Sequence, residues 1–289
     1  MKLSRLYDLV IKFGLDRDPR PKGKNRTFAD SKILHGSLDT EIKKILVGID
    51  IEAAEILLAD RIRAKEGLDM VLSHHPEGKA YAGLYQVMQV QVDVLKKMGV
   101  PVKVAQELLD ERMREVERRV LPQNHTRPVD TARLLDMPFM CAHTPADNHV
   151  YSYLRKLMES RKPVRVKDIV DILLTIPEYK EAQKFLAGPR IILGNPNASV
   201  GKILFEMTGG TEGPKDVFDK LYKAGVRTLV SMHLSEEHFK KVKDNNLSVI
   251  IAGHISSDNL GLNLLLDRVE KEEPLQIIGC SGFNRVRRK

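Results

Sequence analysis

The sequence predicts an α/β fold with a mainly parallel sheet. Three observations carry that reading: short continuous apolar runs recur along the 289 residues, stretches of helical spacing separate them, and the alternation is clean through the last third.

The chain opens on a helix over residues 3–13, with Leu3, Leu6, Leu9, Val10 and Phe13 at helical spacing and Gly14 as its C-cap. Residues 16–30 are polar and rich in Pro and Lys, and read as a loop. Residues 44–49 form a strand, 51–65 a helix and 69–75 the next strand. This β-α-β unit implies parallel strands and a right-handed crossover. Helical stretches follow at 83–98 and 104–120, with 102–104 also readable as a short strand. Residues 122–128 break the pattern, 130–135 add a helical turn, and 137–142 form a strand running into His143. The segment 151–187 is mostly helical, punctuated by Pro163 and Pro177. Strands are expected at 190–193 and 202–207, a helix at 214–224, a strand at 226–232, and a helix at 235–245 capped by Ser235. A strand at 247–252, a helix at 256–270 and a strand at 275–278 complete the order. No internal sequence repeat or low-complexity tract is visible.

The length suits one large domain or two ordinary ones, with a real core. Hydrophobic residues at 42% and charged residues at 30% describe a globular chain, not a disordered one. With no Trp and 5% aromatics, the chain is poorly equipped as a stacking platform for single-stranded nucleic acid. The net charge of +8 is compatible with an anionic partner such as a nucleotide or nucleic acid, although most basic residues are interspersed with acids. Two segments stand apart: 17–26, and the tail Arg285, Arg287, Arg288, Lys289. Each is suited to touch phosphate. Cys141 and Cys280 are far apart in sequence and have no CxxC spacing, which does not support a disulfide framework or a Cys-type zinc site. With no signal-like or membrane-spanning run, the expected location is the cytoplasm.

The chemistry is concentrated at strand ends. Ser73-His74-His75-Pro76 follows the apolar run Met70-Val71-Leu72. Side chains alternate along a strand, so one of two adjacent histidines must leave the core face, and neutral imidazole is the commonest metal ligand. His143-Thr144-Pro145-Ala146-Asp147 ends a second run, and His254-Ile255-Ser256-Ser257-Asp258 ends a third. Asp258 falls in the first turn of a helix, where a carboxylate is stabilised. Histidine nitrogens and carboxylate oxygens without thiolate suit zinc, manganese, iron or nickel, and Asp147 or Asp258 could bridge two ions.

In this order, Ser-His-His-Pro, His-Thr-x-x-Asp and Gly-His-x-x-x-acid resemble the family named for the NGG-interacting factor three protein. Its members are often labelled GTP cyclohydrolase I type 2 homologues or dinuclear-metal-centre hexameric proteins. Residues 30–36 and 43–50 are similar to that family's opening segment and first strand, and Gly209-Gly210-Thr211-Glu212-Gly213 to its glycine-rich turn. The resemblance implies two similar α/β lobes with mainly parallel sheets and a dimetal site between them, in a homohexamer. It places the first lobe at 1–155, with a helical insertion at about 84–135. The second lobe, at 156–289, contributes His254 and Asp258. The implied metal ligands are His74, His75, Asp147, His254 and Asp258, holding two divalent ions (Zn, Mn, Fe or Ni). His143 stands behind them.

The chain departs from the family in three ways. Asp258 replaces the usual Glu, the stretch between His75 and His143 is longer, and the segment after the penultimate lobe strand reads Ser231-Met232-His233-Leu234-Ser235-Glu236-Glu237-His238. From that segment His233, Glu237 and His238 are candidates to line the site. The expected activity is metal-dependent hydrolysis of a nucleotide or related small molecule, with Glu237 or His143 moving protons. The alternative is a non-enzymatic, ring-shaped metal-binding or nucleic-acid-associated scaffold, with no membrane partner.

Overall fold

The computed structural model describes residues 1–23 and 26–288; Lys24, Asn25 and Lys289, members of the two basic segments, lie outside the described residues. The chain builds two sheets by the same route. Strands β1 (Ile33–His35), β2 (Lys44–Gly48), β3 (Met70–Ser73) and β4 (Phe139–Cys141) lie side by side in the order β1-β4-β3-β2. Strands β5 (Arg190–Leu193), β6 (Lys202–Glu206), β7 (Val226–Ser231) and β8 (Ser248–Ile251) lie in the order β5-β8-β7-β6. In each sheet the first strand is antiparallel to its neighbour and the rest are parallel. The repeat is topological, since the sequence shows none. All four residues of β3 are buried, as its unbroken apolar run requires of a strand covered on both faces.

Helix α1 (Leu3–Leu15) precedes β1, and α2 (Ala53–Glu66) joins β2 to β3. Between β3 and β4 lie α3 (Gly78–Ala82), α4 (Leu84–Val87), α5 (Val90–Lys97), α6 (Val102–Val120) and α7 (Arg127–Leu134). The single helix expected over 83–98 is therefore interrupted at Met88-Gln89, and 102–104 opens α6 instead of forming a strand. After β4 come α8 (Thr144–Arg161), α9 (Val166–Leu173) and α10 (Pro177–Lys184). Helix α11 (Phe218–Lys223) joins β6 to β7, and α12 (Glu236–Asp244) joins β7 to β8. Ser235 caps α12 as expected, its side chain accepting from the His238 N–H. Among the described residues, no helix is long and apolar enough to cross a membrane.

The chain then crosses back over the division expected at 155/156. After α13 (His254–Glu272), β9 (Gln276–Cys280) pairs in parallel with β2 and extends the first sheet. Leu262, Leu265, Leu266 and Val269 of α13 share one core with Leu3, Leu6 and Leu9 of α1. Helices α8 and α13 serve both cores: Ala146 and Leu262 face the first, Val150, Leu154 and Leu260 the second. Gly261 permits their close approach, because a Cβ there would stand 2.7 Å from the Ala146 carbonyl oxygen.

The insertion between β3 and β4 packs into the second core through Val92, Leu95, Ala105 and Leu109. It also grips the glycine-rich turn. Gln91 Nε2 donates to the carbonyls of Gly209 (2.9 Å) and Thr211 (2.7 Å), and Arg112 Nε to that of Glu212 (3.1 Å).

Candidate metal centre

The ends of β3, β4 and β8 converge with the starts of α8 and α13. His143 is the N-cap of α8 and His254 the first residue of α13, and one turn further on stand Asp147 and Asp258. The backbone before His254 turns at Gly253, at φ +109°, where a Cβ would meet Ala187 O at 2.7 Å.

Each of three imidazoles is anchored by Nδ1. His74 donates to the Ala142 carbonyl at 3.2 Å, His75 to Asp50 Oδ1 at 2.6 Å, and His143 to Asp30 Oδ2 at 2.8 Å. The anchors leave Nε2 of each ring turned inward, as second partners of metal-binding histidines do. His74 Nε2 lies 3.4 Å from Asp147 Oδ1 and 3.4 Å from Asp258 Oδ1. On the other side of the same carboxylate, Asp258 Oδ2 is 3.4 Å from His75 Nε2 and 3.5 Å from His254 Nε2. His143 Nε2 is 3.8 Å from Asp147 Oδ2.

Two donor groups therefore share Asp258: His74, Asp147 and Asp258, and His75, His254 and Asp258. A third, overlapping group joins His74, His75 and His143. Each could hold a metal ion. The donors fit such ions on two counts. His74 Nε2, Asp147 Oδ1 and both Asp258 oxygens are buried with no hydrogen-bond partner among the described residues, an arrangement that costs stability unless something binds there. The spacing also agrees: ligands held at about 2.0–2.2 Å around one tetrahedral ion stand roughly 3.3–3.6 Å apart.

The electrostatics follow from burial among opposite charges. Burial alone would raise Asp258, but His74, His75 and His254 outweigh it and hold the carboxyl far below the usual range. Burial pushes Asp147 up to about 6, with His143 and His74 pulling the other way. Burial lowers His254 to about 4, which leaves its ring neutral and able to ligate. For His75, burial is outweighed by Asp258 and Asp50, which lift it to about 10.

The centre opens outward. A small inner cavity of about 40 Å³ touches His143, Asp147, His254 and Asp258. A cleft of about 360 Å³ lies over it, with His75, His143, His233 and His254 on one side and Tyr81, His125 and Arg127 of the insertion on the other. The insertion is thus a wall of the cleft.

All five residues read as ligands meet here, and His143 lines both cavities beside Asp147. Glu237 does not join them. Ser235 caps α12, so Glu237 falls in the exposed first turn, where it pairs with Lys215 at 2.9 Å and lines neither cavity. His238 is buried against the Gly213 carbonyl at 2.8 Å and holds the glycine-rich turn. Of the three candidates in that segment, only His233 lines both cavities, its Nδ1 3.6 Å from Glu212. Sequence reasoning missed Asp30, Asp50 and Glu212 as partners of these histidines. Asp50 carried a signal, as a carboxylate two residues past β2, the parallel neighbour of β3.

No family model and no curated protein matches the chain. Solved structures do. A NIF3 superfamily protein from Sphaerobacter thermophilus superimposes with a TM-score of 0.82 at 27% identity, over 98% of this chain and 99% of that one. Reduced HcgD from Methanocaldococcus jannaschii gives 0.56 at 15% identity, over 96% and 97%. Protein ybgI, of unknown function, gives 0.57 at 15% identity, over 99% and 100%. The last two show likeness of fold alone. NIF3 is the short form of the family resembled in the sequence motifs, and the chain has the NIF3 superfamily architecture from end to end.

Proposed function

We propose that the protein holds two divalent metal ions and hydrolyses a nucleotide or related small molecule in the cleft above them. The ligands are His74, Asp147 and Asp258 for one ion, and His75, His254 and Asp258 for the other. The observation that carries this reading is Asp258: its two oxygens face separate donor sets, and neither has a hydrogen-bond partner among the described residues. Two such ions would supply Lewis acidity and lower the pKa of water at the site.

The remaining work falls to the chain. Ala142 and Asp50 fix the ring orientation of His74 and His75. His143, whose pKa Asp147 and Asp30 raise against the effect of burial, turns Nε2 toward the cavity and can pass a proton to a leaving group. His233 stands on the same cleft with Glu212 behind it. Arg127, 3.5 Å from Glu52 at the mouth, would turn to an anionic substrate there.

Elemental analysis should find about two transition-metal ions per chain, and none in a His74→Ala/His75→Ala variant. Protein loaded with Zn, Mn, Fe or Ni is then screened against phosphoesters, cyclic amidines and GTP. No turnover above that variant with any metal would sink the hydrolase reading.

We also propose a homohexamer, following the family resemblance. Its support is an apolar cavity of about 820 Å³ lined by Ile255 and Phe185, the latter 75% exposed. Sedimentation should return the mass of six chains; a monomer would overturn this.

A further inference from the structure

The two basic segments singled out by composition meet in the fold. Arg17, just past α1, and Arg288, in the tail, line one pocket of about 260 Å³ along α8 and α13. Lys156 of α8 and Arg268 and Lys271 of α13 complete its charge, against the single carboxylate of Asp267. That carboxylate is already engaged by Arg285. Arg268 is paired with Asp16 at 2.6 Å and Arg288 with Glu178 at 2.6 Å, while Arg17, Lys156 and Lys271 have no ion-pair partner among the described residues.

Two buried atoms in this pocket lack partners. His149 is 4% exposed; its Nδ1 donates to Pro145 O at 2.8 Å, which leaves Nε2 without a partner among the described residues. Arg268 Nη1 is likewise buried without a hydrogen-bond partner among the described residues, its guanidinium stacked 4.1 Å from the Phe13 ring centre. A buried polar atom without a protein partner calls for one, which an ordered water or a ligand group supplies. Tyr153 and Leu264 add an apolar wall beside the charges.

We propose that this pocket binds a small organic phosphate, with the phosphoryl group among the arginines and lysines and the body of the molecule against Tyr153 and Leu264. Guanidinium groups match phosphoryl oxygens in geometry as well as charge. A hydroxyl on the ligand body can donate to the free His149 Nε2. Cations from four separate segments surround a pocket of small-molecule size, which favours a terminal phosphoryl group over the backbone of a long polymer. The pocket shares no lining residue with the metal cleft or the cavity beneath it, so the proposal stands apart from the hydrolase reading.

The test is calorimetric titration of the full-length chain with inorganic phosphate and with AMP at constant ionic strength, before and after treatment with a chelator. One site per chain should survive chelation and prefer AMP. Lys156→Gln/Lys271→Gln, which changes two exposed side chains, should weaken that site at least tenfold at unchanged melting temperature; Arg17→Gln should weaken it by a smaller factor. Binding that disappears on chelation, that does not favour AMP, or that keeps its affinity in the double variant would overturn the proposal.

Discussion

Asp50 accepts the Nδ1 proton of His75 at 2.6 Å, and this determines that Nε2 of His75 meets Asp258. Partners of this kind commonly change metal affinity about 10–100-fold when removed. Asp50 is more than half exposed, so its loss leaves the core intact. Asp50→Ala should therefore fold normally and bind metal roughly tenfold or more weakly, read by competition with a chromogenic chelator. Unchanged affinity would mean that His75 needs no anchor.

Asp258 is the carboxylate shared by two of the three donor groups found among the described residues. Asp258→Ala should leave less than one ion per chain by elemental analysis, a larger loss than Asp147→Ala. Asp258→Glu keeps two oxygens and should hold both ions. If Asp258→Ala still carried two, the shared-carboxylate geometry would be wrong.

Orphaned donors make the metal-free state strained. Anything that binds only the native state stabilises it, by about 2.7 kcal/mol at a hundredfold excess over Kd. Stripping the protein with a chelator should lower the melting temperature, and adding back Zn or Mn should restore it. No difference between the two states would count against tight binding in the folded protein.

Glu212 lines the inner cavity without joining a donor group, and it gives a pH signature of its own. Burial would raise its pKa, but bonds from His233 and Ser235 outweigh this and hold it at about 2, against an ordinary 4.5. A lowered folded pKa contributes stability that is complete above the ordinary value and fades as pH falls toward the folded one. Glu212→Gln should cost about 1–2 kcal/mol at pH 7, after allowance for solvent screening. The gap in melting temperature should narrow below pH 4.5 and close near pH 2. A gap independent of pH would assign Glu212 a purely steric role.

Gly261 sets the contact of α8 with α13, and hence the spacing of Asp147 and Asp258. Gly261→Val inserts a branched side chain where a Cβ already meets Ala146 O at 2.7 Å. It should destabilise the fold by about 3 kcal/mol or more and reduce metal content, because overpacking forces backbone shifts. Calorimetry together with elemental analysis would show whether the two losses occur together.

The alternation of apolar runs and helical stretches made most of the fold legible. Strand β1 escaped because it has three residues, none fully buried, and its partner β4 lies about a hundred residues away. The return of β9 escaped because an apolar run states that a strand exists, not which sheet accepts it. The topological repeat was hidden by divergence at matching places. Ser73 and Ser231 each donate to the carbonyl two residues on, yet His74 in the first sheet answers to Met232 in the second. Histidine pairs at strand ends were readable because buried imidazoles need partners. Asp30 was not: it reaches His143 only through the pairing of β1 with β4. Glu237 and His233 were equivalent in sequence until the cap at Ser235 turned one of them to solvent.

The late pairing of β9 with β2 imposes a timetable on synthesis. While the ribosome is still making the second sheet, Ile45, Leu46 and Val47 border an open sheet edge, a template for pairing with neighbouring nascent chains. Release from that exposure waits for residues 276–280, and His254 and Asp258 emerge only shortly before them. The last donors of the candidate centre and the strand that covers this edge therefore become available in close succession.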